Sequence, residues 1–133
     1  MHVLILPSWY PTIINSVSSV FFMEQAKALH NYGIKVGVIA PIQRSVKTIR
    51  KGKILKFRYQ IEFKEEYGIP TFRSLGWGIP KPQKLNIKIL EWQTSRLIDL
   101  YIKKLGKPDL VHVHSVLWGL GCFIYTNIII YHT

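Results

Sequence analysis

The segment KPDLVHVHS, Lys107 to Ser115, ends an apolar run in two histidines and a serine. Leu110, Val111 and Val113 read as the middle of a core strand, where Val or Ile would ordinarily fill the remaining places. His112 and His114 are two residues apart, so in an extended chain they share one face. An imidazole pair on one face can hold hydrogen bonds to hydroxyls, move a proton or ligate a metal. For a metal site, no acidic or thiol residue stands at a spacing that would complete the shell, so none is expected. His114 closes the strand and would stand at the mouth of any site there. His112 lies one pleat deeper and is expected to be packed or hydrogen-bonded within the sheet.

The surrounding elements must place that strand end beside something. HVLIL (His2 to Leu6) is a short apolar run stopped by Pro7, the pattern of a strand buried on both faces. The loop PSWYPTIINSV follows, and Ser18 or Ser19 can cap a helix whose inward stripe is Phe22, Ala26 and Leu29, with Phe21, Gln25 and Ala28 alongside. Gly33 ends that helix and IKVGVIAP (Ile34 to Pro41) is the next buried strand. Strand, helix and strand in this order form a βαβ unit with parallel strands. LKFRYQIEF then alternates: Leu55, Phe57, Tyr59, Ile61 and Phe63 point one way, and Lys56, Arg58, Gln60 and Glu62 the other. Gly68, Pro70, Gly76, Gly78, Pro80 and Pro82 read as loop markers. A helix is expected over about Lys84 to Leu105, with Leu90, Leu97, Tyr101 and Leu105 recurring at helical spacing. The strand ending in His114 follows, and IIIYHT reads as a last strand.

This order predicts one α/β domain over residues 1–133, with a Rossmann-like open, mostly parallel sheet and helices on both faces. Ligands of such sheets lie beyond the carboxyl ends of the strands, where strand order reverses. The loop after the first strand and the one beginning at Ser115 would then share one crevice.

Composition narrows the partners. The chain of 133 residues carries Lys+Arg 18 against Asp+Glu 7, a formal charge of +11. Such an excess points to an anionic partner. Seven of the cations lie between Arg44 and Arg58 with no acid among them, including Lys47, Arg50, Lys51 and Lys53. The single Cys122 excludes a disulfide framework and a cysteine metal cluster. The opening MHVLILPSWYP has no basic leader, and its apolar run stops at Pro7, so it does not read as a signal peptide. No apolar run has the length of a membrane-spanning helix. The expected location is the cytoplasm, with peripheral attachment to the inner face of a membrane.

MHVLILPSWYPTIINSVSSVFFMEQAKALHNYGIKVGVIAP resembles the opening of a GT-B glycosyltransferase of the family 4 type, and GKPDLVHVHSVLWG resembles that family's next landmark. Order, spacing and strand context agree from Met1 to Gly119. The resemblance implies transfer of a sugar from a nucleotide-sugar to an acceptor by two Rossmann-like domains that face a cleft. The amino-terminal domain mainly holds the acceptor. The carboxyl-terminal one holds the nucleotide-sugar and supplies the groups that neutralise its diphosphate. Retention at the anomeric carbon and independence from metal are typical. The nucleotide-sugar is a co-substrate and no cofactor is implied. Many members build surface polysaccharide at the cytoplasmic face of a membrane, on acceptors that can be lipid-linked.

Carried onto this chain, the resemblance makes His114 the catalytic contact to the transferred sugar. It makes Trp9, Tyr10, Ser18, Ser19, Ser115 and His132 substrate-binding. Trp9 and Tyr10 could stack on a pyranose or close the loop onto the domain; Ser18 and Ser19 could bind an anion through a helix N-terminus or simply cap it. Trp118 reads as packing. The basic residues Arg44, Lys47, Arg50, Lys51 and Lys53 would face an anionic membrane.

Three departures stand out. The chain stops at Thr133, before any second domain, so a fragment that is inactive alone is expected. Ser18 and Ser19 stand where the family usually has a glycine. No carboxylate pair is visible that could act as nucleophile and acid, which retaining members do not require. The alternative is a stand-alone basic module for anionic membrane or nucleic acid. Alternation turns Phe57 and Tyr59 toward the core and away from any base, so nucleic acid is not the expected partner. A single-domain nucleotide-binding protein ranks last, because the chain has no GxGxxG turn and no P-loop.

Overall fold

The computed structural model describes residues 1–7, 20–45, 59–79, 81–114 and 129–132. Its elements in chain order are β1 (His2–Leu6), α1 (Val20–Asn31), β2 (Lys35–Ser45), β3 (Gln60–Glu66), β4 (Ile69–Gly78), α2 (Gln83–Leu105), β5 (Leu110–Val113) and β6 (Ile129–His132). They build one six-stranded sheet in the order β3-β4-β2-β1-β5-β6. All pairs are parallel except the edge pair β3–β4. The chain runs outward from β1 through β2 to β4, then returns to the other side of β1 as β5. Strand order therefore reverses between β1 and β5, the switch point that the sequence pattern predicts.

The sheet is covered on both faces, as expected. Val3 and Ile5 of β1 pack with Val36, Val38 and Ala40 of β2 under Ala26 of α1. Leu4 and Leu6 point to the other face, where Leu97, Ile98 and Tyr101 of α2 meet Ile39, Phe72, Val111 and Val113. Every residue of β1 is buried, which explains why its sequence is apolar without alternation. Burying a Leu or Ile side chain of this kind stabilises by about 1.5–3 kcal/mol.

The inward stripe of α1 is Phe22, Ala26 and Leu29 with Gln25 alongside, as expected; Phe21 and Ala28 do not flank it. Ala26 is buried, with Phe22 and Leu29 half-buried beside it, but Phe21 is 69% exposed and Ala28 is also exposed. Met23 takes the flank expected of Phe21. At about 3.6 residues per turn, Phe21 falls well round the helix from Ala26, whereas Met23 stays beside it. Gly33, at φ +80, ends the helix: its N–H bonds the carbonyl of His30 at 2.9 Å, and the Ile34 N–H that of Leu29 at 3.2 Å. These two bonds satisfy carbonyls that the helix end leaves open.

The largest correction concerns residues 68–79. Gly68, Pro70, Gly76 and Gly78 are not all loop markers: Tyr67 (φ 55) and Gly68 (φ 78) form a tight two-residue turn, and β4 runs through the other three. Pro70 is tolerated near the start of β4 because pairing with β2 begins only at Thr71. Gly76 and Gly78 are places of close approach. A Cβ on Gly76 would overlap the Gln93 amide of α2, and one on Gly78 would crowd Gln43 and Asn86. The alternation read from Tyr59 to Phe63 holds. Tyr59 and Ile61 are half-buried toward α2 and Gln60 and Glu62 are exposed, although Phe63, at the sheet edge, remains 39% exposed. Leu55 to Arg58 lie outside the described residues. Strand β2 continues four residues beyond its expected end, to Ser45.

Candidate functional site

At the carboxyl end of the switch point, Leu6 of β1 lies in register with Val113 of β5. The ladder is carried one residue further, because the His114 N–H donates to the Leu6 carbonyl at 3.1 Å. His112, in register with Ile5, is on the α1 face. His114 shares that face, as the spacing of two requires: the two imidazole centroids are 4.2 Å apart, with their planes at 43°.

Helix α1 closes over the pair. The Phe22 ring lies 4.3 Å from that of His114, and the Gln25 Nε2 is 3.4 Å from the His112 Nδ1. Phe21 meets Phe22 edge-on at 5.6 Å and reaches solvent. An aromatic path therefore leads from the buried sheet, through His112, His114 and Phe22, to the surface at Phe21. The Gln25 Oε1 is buried without a hydrogen-bond partner among the described residues. Phe22 and Gln25 were legible only as members of an apolar helix stripe. The signal that they belong to a site is the glutamine itself, a polar residue placed among inward-facing apolar ones.

Both imidazoles are held neutral. Burial pushes His114 down to about 4, with the neighbouring His112 adding to the effect, and burial also lowers His112. A neutral imidazole offers one donor and one acceptor. It suits a hydroxyl, and it is a poor cationic clamp for a diphosphate at neutral pH. Among the described residues no group of three or more His, Cys, Asp or Glu could hold a metal ion.

The structure describes only part of the predicted site. His114 follows the carboxyl end of β5, half-buried against Phe22, and the His112 Nδ1 lies 3.4 Å from the Gln25 amide. Trp9, Tyr10, Ser18, Ser19 and Ser115 lie outside the described residues, as do Trp118, Lys47, Arg50, Lys51 and Lys53. Arg44 belongs to β2, in register with Trp77. His132 ends β6 in register with Val113, one strand beyond His114. No helix among the described residues is long and apolar enough to cross a membrane.

The solved structures include a match to this arrangement: the catalytic domain of starch synthase IV from Arabidopsis thaliana, bound to ADP and acarbose. The TM-score is 0.59 at 14% identity, over 95% of this chain and 30% of the other. That domain is a GT-B glycosyltransferase. The chain has a glycosyltransferase-like fold. The switch-point geometry and the helices on both faces are those of a Rossmann-like GT-B half. The likeness is one of fold, and the chain spans 30% of the length of that catalytic-domain chain. No family model matches the sequence, and no curated protein matches it.

Proposed function

We propose that this chain is the acceptor-side half of a family 4-type GT-B glycosyltransferase. The enzyme would transfer a sugar from a nucleotide-sugar to a surface glycan or lipid-linked acceptor at the cytoplasmic face of a membrane. The observation that carries the reading is the set of side chains at the carboxyl end of the β1–β5 switch point, where Phe22 and Gln25 of α1 meet His114 and His112. There a neutral His114 and the Gln25 amide, whose buried Oε1 has no hydrogen-bond partner among the described residues, lie beside Phe22 and the exposed Phe21, so hydroxyl-binding groups stand next to an aromatic face. Such a set favours an uncharged, hydroxylated ligand. Aromatic rings cover the apolar face of a pyranose, and neutral donors and acceptors pair with its hydroxyls.

In the reaction the acceptor oxygen bonds to the anomeric carbon as the bond to the diphosphate breaks; the electron pair leaves with the diphosphate, whose oxygen takes up the acceptor's hydroxyl proton. His114 would orient the transferred sugar by hydrogen bonding. With its pKa held to about 4, it cannot supply the positive charge that a leaving diphosphate needs. The resemblance assigns those charges to the carboxyl-terminal domain. The chain alone is therefore expected to transfer nothing from a panel of nucleotide-sugars, and robust turnover by the purified chain would refute the half-enzyme reading. In a fusion that supplies a nucleotide-binding GT-B half, His114→Ala should lower kcat at least about tenfold at a temperature where the variant remains folded. Equal rates for the variant and the parent would remove His114 from the site.

The basic stretch Arg44 to Arg58 is read as the part that meets an anionic lipid surface, each cation near it contributing about 1 kcal/mol.

A further inference from the structure

Strand β3 is an edge of the sheet, and its outer side pairs with no strand among the described residues. Its sequence is QIEFKEE, exposed at Gln60 and from Glu62 to Glu65. Such an edge offers a row of N–H and C=O groups to another strand. Which groups it offers follows from the β3–β4 hairpin. Glu66 and Ile69 flank the two-residue turn and lie in register, the place of a hydrogen-bonded pair. Bonded and non-bonded pairs alternate along an antiparallel ladder, so Gln60, Glu62, Lys64 and Glu66 bond β4. Ile61, Phe63 and Glu65 therefore turn their N–H and C=O groups outward. Pro70 agrees with this phase: it has no N–H to give, and it lies opposite Glu65, at a non-bonded place.

The outward row limits how the strand can meet itself. In a two-fold antiparallel pair, outward residues must face outward residues, so the axis passes through a residue and never between two. Axes at Glu62, Lys64 and Glu65 each set two like charges directly opposite one another. An axis at Ile61 uses only the start of the strand. An axis at Phe63 uses all of it, and there Glu62 of each copy faces Lys64 of the other. These are non-bonded places between the copies, where facing side chains come closest. Within one copy the two are already neighbours, the Lys64 Nζ lying 2.8 Å from a Glu62 carboxylate oxygen. On the other face Phe63, 39% exposed, would meet the same residue of the second copy. Its ring is held from behind by Phe72 at 4.8 Å and by the Lys104 Nζ at 3.4 Å.

We infer that β3 is a dimerisation edge: two copies of this chain join by antiparallel β3–β3 pairing centred on Phe63, making one continuous sheet. The occupant is a second copy because the charge pattern is complementary to itself in that register and repulsive in the neighbouring ones. A strand of another sequence would meet the same outward N–H groups without the matched charges. Strands β4 and β2 stand between this edge and β1, so the pairing is independent of what the β1–β5 end binds.

The test is sedimentation velocity of the full chain over a concentration series, with circular dichroism of each variant. The parent should show a monomer–dimer equilibrium. Glu62→Lys puts two cations opposite one another at both symmetry-related places, and Lys64→Glu puts two carboxylates there. Each should weaken dimerisation at least about tenfold. An equimolar mixture of the two variants should associate like the parent, because every facing pair again has opposite charges. Glu62→Lys and Lys64→Glu combined in one chain should restore association for the same reason. A variant that merely fails to fold would not be rescued by mixing. Glu65→Pro, which removes an outward N–H and spares the bonds to β4, should also weaken the dimer. A parent that is monomeric at every concentration, single charge variants that both associate like the parent, or a mixture that stays monomeric would each overturn the inference.

Discussion

Histidines stand at both ends of the β1–β5 pair, and their surroundings differ. At the amino end His2 is 8% exposed, and its Nε2 shares a 2.5 Å hydrogen bond with the hydroxyl of the fully buried Tyr101. Its backbone N–H donates to the Asp109 carboxylate at 2.7 Å, and the Asp109 N–H returns a bond to the His2 carbonyl at 2.8 Å. Gly37 of β2 leaves room for the Tyr101 ring, which a Cβ there would overlap. Burial lowers the His2 pKa, with Lys35 adding to the effect, and burial raises that of Tyr101. This end is tied up: the His2 ring is bonded to the buried Tyr101 hydroxyl, and its backbone N–H to the Asp109 carboxylate. At the carboxyl end, His112 and His114 are half-buried, tilted against each other and covered by a helix whose Gln25 keeps a buried oxygen without a partner among the described residues. The residue type is the same at both ends. What separates a structural histidine from a candidate functional one is its position on the carboxyl side of the switch point, where such sheets bind their ligands.

Perturbing the two ends should separate them. The largest effect is expected from Tyr101→Ala, which empties the core under α2 and should cost about 3–5 kcal/mol in denaturant unfolding. A loss no greater than that of a surface substitution would mean that the amino end is not a packed core. Gly37→Ala should cost about 1–3 kcal/mol, since a methyl would meet a ring confined by the sheet. Tyr101→Phe keeps the shape and removes only the bond to His2, so about 1 kcal/mol is expected.

Acid should weaken the fold through the histidines of both ends. His2, His112 and His114 all have native pKa values below 6.5, so the unfolded chain takes up their protons first and stability falls as pH drops below that value. For His114 the fall should extend from 6.5 to about 4, at no more than about 1.4 kcal/mol per pH unit and less for its partial exposure. His114→Gln should flatten that part of a stability–pH curve, and an unchanged slope would contradict the burial argument. The smallest effect is expected at neutral pH, where Gln25→Leu should alter the melting temperature by no more than a surface change. The bond it removes is long, at 3.4 Å, and Gln25 is only half-buried.

Local pattern was enough for the sequence to determine β1, α1, the start of β2, α2, β5 and the strand at Ile129–His132. It was also enough to put His112 and His114 on one face, because a period of two or 3.6 is a property of neighbouring residues. The doubly covered parallel sheet followed from element order. Tertiary packing alone decided the rest. Gly76 and Pro70 look like breakers to local reasoning, and they become strand residues only because Gln93 lies over one and the ladder to β2 starts after the other. His2 looked like the polar start of an apolar run until Tyr101, far along the chain, met its ring. Phe22 and Gln25 joined the histidines only when α1 was laid across the switch point, which no local period encodes. Those contacts link residues tens of positions apart, and spacing along a chain carries no record of which distant side chain will fill the space above a given Cα.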